Sequence, residues 1–330
     1  MASLYGLVMN ESIKMVKKKR LLVVLLILAA IIPMFTYAQM KVAQNNQKQF
    51  GTTDWRVEQR QKVRDYTQRL GSARLPEEWK QRLQVEVKLA QYYLDKDVNP
   101  ASPNGVTFTV TFVQNAVGLF IPLMVMVIAA DIVSGEHTSG TIKLLLTRPV
   151  PRWRVLLSKL ITLILFTSVV VVATALLSYL ISGLFFGYGG WDMPRLLGFS
   201  VTGTDVDFSR VRVVEQWFYL LLELGLVWFA AVAVAIMTMM ISVLVRSTAA
   251  GMGIMLAVLI SGTILTSMVS SWETAKYLFM VNLDLTDYLT GGLPPIKGMD
   301  LPFSLTVLSV WVALSILVSF AVFTKKDVLN

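Results

Sequence analysis

The residue types that most often carry catalysis or bind metals are scarce in this chain of 330 residues. Cysteine is absent, which excludes disulfides and thiolate metal sites, and His137 is the only histidine. It follows Glu136 but has no second histidine four residues on, which excludes metalloprotease chemistry and a set of imidazole ligands for zinc. No Gly-x-x-x-x-Gly-Lys-Ser/Thr segment occurs, so the chain lacks the loop that cradles ATP phosphates. We therefore expect that this chain is not an enzyme.

Glu223 is the strong candidate for an ionisable group at membrane depth, about two turns inside the apolar segment 217–245. A charged carboxylate there costs roughly 2.5 to 3.5 kcal/mol unless it is paired, protonated or near the interface. Glu223 is interpreted either as a residue of the outer leaflet that bonds another helix or as part of a substrate path. The sequence offers it no intramembrane partner, which weakens the case for a proton-coupled carrier.

The segment from Ser134 to Lys159 is the other informative region, and it reads SGEHTSGTIKLLLTRPVPRWRVLLSK. Thr138 or Ser139 can cap a short helix through Leu146, which the prolines that follow would end. An apolar helix face in a polar loop must be buried against another surface. The residues that would form this face are Ile142, Leu144, Leu145 and Leu146. From the residues alone, this apolar face could be covered either by the bilayer surface or by another protein.

Long apolar helices are the elements that must hold these residues. The chain is 55% hydrophobic and only 15% charged, against roughly 25% charged in soluble proteins. Its apolar residues form blocks of about 20, the length that crosses a hydrocarbon core of roughly 30 Å. Backbone groups inside that core must bond internally, so each block is helical. We predict an all-α membrane protein with six transmembrane helices, at residues 21–39, 112–133, 155–186, 217–245, 248–269 and 303–324.

The segments outside the predicted spans form further regions of the chain. Residues 1–20 are amphipathic and end in a basic run, which predicts a cytoplasmic elbow helix before the first span. A cleaved signal peptide is the alternative for this start, but the apolar stretch is longer than a usual signal core. Residues 40–111 are polar with apolar residues at helical spacing, which predicts an extracytoplasmic helical hairpin. The remaining five spans occupy residues 112–330, with a cytoplasmic loop at 134–154.

The orientation follows from basic residues, which are enriched in the short cytoplasmic flanks of membrane spans. They are Lys17, Lys18, Lys19, Arg20, Arg148, Arg152, Arg154, Lys159, Arg246, Lys325 and Lys326. All of them fall on one side of the predicted spans. We therefore expect a multi-pass protein of a bacterial plasma membrane with both termini in the cytoplasm. The net charge of +9 has the same explanation, so no nucleic-acid partner is expected.

The segment 134–159 resembles the signature of type-2 ABC exporter permeases, in which an acid, Gly-Thr, paired leucines, Pro, Arg and Lys follow the second span. The matching positions are Glu136, Gly140, Thr141, Leu144, Leu145, Pro149, Arg152 and Lys159. Glu11 and Lys14 resemble the amphipathic elbow of that family. Residues 242–247 resemble its tight cytoplasmic turn, and residues 282–289 and 323–328 resemble the segments around its last span. The resemblance covers nearly the whole chain apart from residues 40–111.

The resemblance implies the permease subunit of an ATP-binding-cassette exporter. Two permease chains, identical or sister, would pair in the membrane lipid and form the substrate pathway. Separate ATPase subunits would bind ATP and Mg, so no cofactor is expected in this chain. Residues 136–149 would form a coupling helix that docks on an ATPase, with the leucines as anchors and Glu136 and Arg152 as polar contacts. Residues 4–20 would form the elbow.

Two other functional classes remain open from the sequence. One is a secondary transporter driven by an ion gradient, with Glu223 as its pivot. The other is a membrane sensor or scaffold that uses the predicted extracytoplasmic hairpin as its sensing or binding part. The identity of the transported substrate is not encoded in any residue pattern of the chain.

Overall fold

The computed structural model describes residues 3–50, 54–71, 75–100, 102–138, 140, 150–202, 205–245, 247–268 and 272–325, without the side chains of residues 46, 47, 49, 50, 77 and 78. The helices are α1 (Leu4–Lys17), α2 (Arg20–Phe50), α3 (Trp55–Leu70), α4 (Glu77–Asp95), α5 (Gly105–Ala116), α6 (Phe120–Ala129), α7 (Ser134–Thr138), α8 (Arg152–Phe186), α9 (Gln216–Val245), α10 (Thr248–Met268), α11 (Asp287–Thr290) and α12 (Leu301–Lys325). The strands are β1 (Pro194–Leu197), β2 (Ser200–Thr202), β3 (Asp205–Asp207) and β4 (Arg212–Glu215).

Five helices of the described ranges, α2, α8, α9, α10 and α12, are long and apolar enough to cross a membrane. The helices α5 and α6 are each too short to meet this test alone and meet it only as a pair, which is bent by 66°. The apolar blocks read from the sequence are therefore helical, and the chain is a multi-pass membrane protein. Helix α2 continues to Phe50, well past residue 39, where the first predicted span ends.

The second predicted span, residues 112–133, is not one helix. Helix α5 ends at Ala116 and α6 begins at Phe120, with turn conformation at residues 117–119. Pro122 explains the position of the break. It has no N–H to donate to the carbonyl of Gly118, four residues earlier, and its ring crowds that carbonyl. The sequence placed Pro122 inside a continuous span, whereas the ladder is interrupted one turn before it.

The apolar core is arranged around α9, which contacts α5, α6, α8, α10 and α12. Four alanines on this helix are each at most 1% exposed, at positions 230, 231, 233 and 235. Small side chains allow neighbouring helices to approach closely, which is how helices gain packing energy in lipid. On the other side of α8, the buried residues Val24, Leu28 and Ile32 attach α2 to the same core.

Residues 194–215 lie in a segment predicted to be an outer loop, and instead they contain the four strands. Strand β1 pairs antiparallel with β4, and β2 with β3, so the segment folds back on itself. Gly198 lies between β1 and β2 at φ +99°, where a Cβ would come within 2.6 Å of the Arg210 carbonyl oxygen. The expectation of an all-α fold is thus corrected by two small sheets. Their strands are too short to give a clear alternating pattern in the sequence.

The strands pack against α4 and form with it a small unit, called here the α4–β unit (α4 and β1–β4). Tyr92 of α4 stacks on Phe208 with ring centroids 4.3 Å apart, and Phe199 meets both rings edge-on. Helix α3 lies against α4, and Arg56 forms an ion pair of 2.6 Å with Asp97, just beyond the end of α4. Residues 40–111 therefore do not pack alone, because α4 is covered by a later part of the chain.

Replacing Phe199 by alanine should loosen the α4–β unit while leaving the spans folded. Phe199 is 7% exposed, and truncation of a buried phenylalanine costs about 3–5 kcal/mol. We expect faster tryptic cleavage within residues 75–100 and 194–215, with unchanged helix content by circular dichroism. The control Val213→Ala removes a side chain that is 58% exposed. Equal cleavage rates in the two variants would contradict this packing.

Candidate functional site

Four charged residues from three separate elements form a cluster, called here the four-residue ion cluster: Glu11, Lys14, Glu136 and Lys159. The Nζ atom of Lys159 on α8 donates to Glu11 on α1 at 2.7 Å and to Glu136 on α7 at 2.8 Å. The Nζ atom of Lys14 donates to the same two carboxylates, at 2.7 Å and 3.0 Å. The residues that the resemblance selected in the elbow, after the second span and at the third span therefore meet at one point.

The cluster is largely shielded from water. Lys159 is 0% exposed, Glu11 5% and Glu136 6%. A buried charge is tolerated when an opposite charge and hydrogen bonds replace its hydration, and here two ammonium groups face two carboxylates. Lys14 is the member at the rim, with a side chain 39% exposed. Because three members are almost fully buried and bonded across elements, the cluster holds α1, α7 and α8 in one arrangement.

The neighbouring charges and hydrogen bonds outweigh the effect of burial on the pKa of both Glu11 and Lys14. Burial alone would raise the pKa of Glu11, but the charges and hydrogen bonds of Lys159 and Lys14 outweigh it and lower the pKa. Burial would lower the pKa of Lys14, and its bonds to Glu11 and Glu136 reverse this and raise the pKa. Both residues are therefore held in their charged forms.

A second ionic contact lies one turn away, at Asp131 between α6 and α7. Its Oδ2 accepts from Lys18 at 2.8 Å and lies 3.3 Å from the guanidinium of Arg20. Arg20 also donates to the carbonyl of Val127 at 2.8 Å. Gly135 permits this arrangement, since a Cβ at that position would collide with the Asp131 carboxylate. The basic run before the first span is thus bonded to the end of the second.

Hydroxyl groups join the same turn to the end of α9 and the start of α10. The Ser242 hydroxyl donates to the Ala130 carbonyl at 2.7 Å and accepts from the Ser134 backbone N–H at 2.9 Å. The Ser134 hydroxyl lies 2.9 Å from that of Thr248. The sequence had pointed to residues 242–247 as a tight turn, but it gave no signal that Ser242 would bond residues 130–134.

The remaining predicted coupling residues lie outside the cluster or beyond the described ranges. Arg152 donates to the Thr324 carbonyl at 3.4 Å, at the end of α12. Gly140 is exposed and has φ +70°, so the helix that contains Glu136 ends before it and residues 136–149 are not one continuous helix. The positions that lie outside the described residues are Thr141, Leu144, Leu145 and Pro149.

Glu223 stands apart from the cluster. It is 0% exposed, and neither carboxylate oxygen has a hydrogen-bond partner within the described ranges. Tyr219, one turn earlier, has an equally unpartnered hydroxyl, and Arg195 lies 5.2 Å from its ring. Nineteen residues of α9 separate Glu223 from Ser242, or about 28 Å at 1.5 Å per residue. Glu223 and the four-residue ion cluster are therefore separate sites near opposite ends of α9.

The arrangement joins three elements through charged contacts. The four-residue ion cluster fixes α1 against α7 and α8, and residues 141–149 run between α7 and α8. Displacement of that segment would therefore act on α1 and α8 together. Among the residues that the structure describes, no group of three or more His, Cys, Asp or Glu side chains is placed to hold a metal.

The substitution Lys159→Met should destabilise the protein strongly. It leaves Glu11 and Glu136 buried with Lys14 as their remaining cation, and breaking a buried ion pair costs about 3–5 kcal/mol. The free energy of unfolding can be measured by SDS titration of the full chain in mixed micelles. Adding Glu136→Gln should recover part of the loss, because one uncompensated charge disappears.

The matched control for Lys159→Met is Lys88→Met. Lys88 pairs with Asp205 at 3.0 Å, but the Asp205 side chain is 94% exposed, and such pairs contribute roughly 0–1 kcal/mol. If Lys159→Met unfolds at the same SDS fraction as this control, the cluster does not stabilise the fold.

Comparison with known proteins assigns residues 81–329 to the family DUF2705, described as a protein of unknown function. Two proteins of Bacillus subtilis (strain 168) are similar. The uncharacterized protein YhcI is 33% identical over 213 residues, which are 63% of this chain and 64% of YhcI. The uncharacterized membrane protein YdbK is 30% identical over 215 residues, which are 64% of this chain and 80% of YdbK. With a match over residues 81–329, this multi-pass membrane chain belongs to the DUF2705 family.

Proposed function

We propose that this chain is the permease subunit of a type-2 ATP-binding-cassette exporter. The observation that carries the proposal is the contact of Lys159 with Glu11 and Glu136, at 2.7 Å and 2.8 Å. It connects the amphipathic N-terminal helix, the segment after the second span and the start of α8. Those are the parts that must move together if an ATPase pushes on the loop between them.

In this proposal the chain crosses a bacterial plasma membrane six times, with α5 and α6 as one broken span and both termini in the cytoplasm. Helix α1 is the elbow at the inner surface. Helices α3 and α4 form the extracytoplasmic hairpin, together with the strands that cover α4. A second permease chain, identical or sister, completes the substrate pathway within the lipid. ATP and Mg are bound by the partner ATPase, and this chain carries no cofactor and no ATPase site.

The internal position of Glu136 changes the role that the proposal gives it. Its Oε1 already accepts from Lys14 and Lys159, so contact with the ATPase falls to the loop itself, through Leu144 and Leu145. Glu136 acts as a positioning residue, because it transfers movement of the loop to α1 and α8. Arg152, which contacts the end of α12, would extend the same movement to the last span.

The substitution Leu145→Asp tests the docking. We expect the full chain, tagged and purified from its native membrane, to copurify with a P-loop ATPase identified by mass spectrometry. A carboxylate at a buried anchor should reduce the copurified ATPase about tenfold or more, since it would be desolvated without a partner. Helix content should not change.

The control for this experiment is Val213→Asp, at a position that is 58% exposed on β4, which should retain the ATPase. The proposal fails if no P-loop ATPase copurifies with the wild-type chain, or if Leu145→Asp retains as much of it as Val213→Asp does.

A protease experiment on intact cells tests the topology. Trypsin added outside should cut between α3 and α4, where Arg69 and Arg74 offer sites. An N-terminal tag should remain intact until the membrane is permeabilised. Loss of that tag from intact cells would reverse the proposed orientation.

Glu223 supports a second candidate, an ion-gradient-driven carrier. Its carboxylate is fully buried in an apolar helix, and ionisable residues at membrane depth often mark ion pathways or proton relays. Transport that an uncoupler collapses and that ATP depletion leaves unchanged would favour this candidate over the exporter.

A further inference from the structure

A cavity of about 220 Å³ lies between α4, the end of α10 and residues 281–295. Its volume corresponds to about seven water molecules at roughly 30 Å³ each. The wall includes Asn282, Asp284, Asp287 and Tyr288, with Arg82 from α4 and apolar surface from Leu293 and two prolines. Because the wall includes two carboxylates, its polar groups are mainly hydrogen-bond acceptors.

Asp284 is fixed against the break in the second span. A Cβ on Gly118 would collide with its carboxylate, so this carboxylate lies directly on the backbone between α5 and α6. Burial, together with the nearby charge of Asp287, raises the pKa of Asp284 to about 6. At pH 7.5 it is therefore mostly ionised, and no hydrogen-bond donor that the structure describes is bonded to it.

Asn282 provides an independent indication that the cavity suits a hydrogen-bond donor. It is 2% exposed, and its Nδ2 donates to the carbonyls of Lys276 and Leu278, both at 2.8 Å. Its Oδ1, on the opposite edge of the amide, has no hydrogen-bond partner within the described ranges. A buried acceptor left unbonded is unfavourable. Since Asn282 lines the cavity, a donor located there would satisfy it.

We propose that this cavity binds a small organic cation that carries an ammonium or guanidinium group. Asp284 and Asp287 would pair with the charge, Asn282 Oδ1 would accept one of its N–H groups, and the Tyr288 ring and the prolines would cover its carbon atoms. A bare metal ion fits less well, because the described residues offer no group of three metal-ligating side chains. Arg82 is exposed on α4. Among the lining residues that the structure describes, it is the positively charged one, and its charge opposes the binding of a cation.

This inference goes beyond the proposed exporter function and does not depend on it. The site is built from residues 82, 118 and 282–288, none of which belongs to the four-residue ion cluster. A cation could be bound by an exporter, a carrier or a sensor alike. The test below therefore leaves ATPase docking untouched and can fail while the docking result stands.

The test uses the full chain in lipid nanodiscs at pH 7.5, titrated calorimetrically with cadaverine and with agmatine. The neutral compound 1,5-pentanediol is the control for cadaverine, because it matches the chain length but lacks charge. We expect at least one of the amines to bind and the diol not to bind. Asp284→Asn and Asp287→Asn should each weaken binding about tenfold or more, since each removes one charge-assisted bond.

The control variant is Asp205→Asn, which removes an exposed carboxylate on β3 of the α4–β unit and should leave the affinity unchanged. Thermal unfolding should show that Asp284→Asn is folded, because an amide replaces a carboxylate whose charge is disfavoured by burial. The proposal is overturned if neither amine binds below about 10 mM, if the diol binds equally, or if both aspartate variants keep wild-type affinity.

Discussion

The structure depends on one buried ammonium group, that of Lys159, which neutralises carboxylates from two other elements. Without it, the buried carboxylates of Glu11 and Glu136 would keep Lys14, at the exposed rim of the cluster, as their bonded cation. The ionic contact is what places the N-terminal helix on α8 and orients the short helix after the second span. The hydroxyl contacts of Ser242 then attach the same turn to α9, the helix at the centre of the core.

The sequence predicted the elements better than their contacts. The apolar blocks gave helices whose starts at Gln216 and Leu301 lie within a few residues of the predicted ones, because the hydrocarbon core imposes both length and composition. Helix α2, by contrast, continues to Phe50, well past its predicted end. Glu11 and Lys159 were both identified, yet 148 positions separate them. No local pattern encodes a contact at that distance along the chain, and only a resemblance to a known architecture brought the two residues into one argument.

What the sequence missed has local physical causes. The strands at 194–215 contain three or four residues each, too few for an alternating pattern to stand out from an irregular loop. Pro122 was seen but treated as a feature within one helix, whereas its missing donor interrupts the ladder at Gly118. Residues 282–289 were noted for their resemblance to a segment around the last span, and nothing in that pattern indicated that Asp284 would lie against Gly118.

The bend of 66° between α5 and α6 has a mechanical consequence. A continuous helix transmits rotation and tilt along its whole length, because each backbone hydrogen bond constrains the next residue. Here that constraint is absent for one turn. The angle between α5 and α6 is therefore set by packing at the turn of residues 117–119 rather than by a continuous ladder of backbone bonds. The Asp284 carboxylate lies against that turn at Gly118.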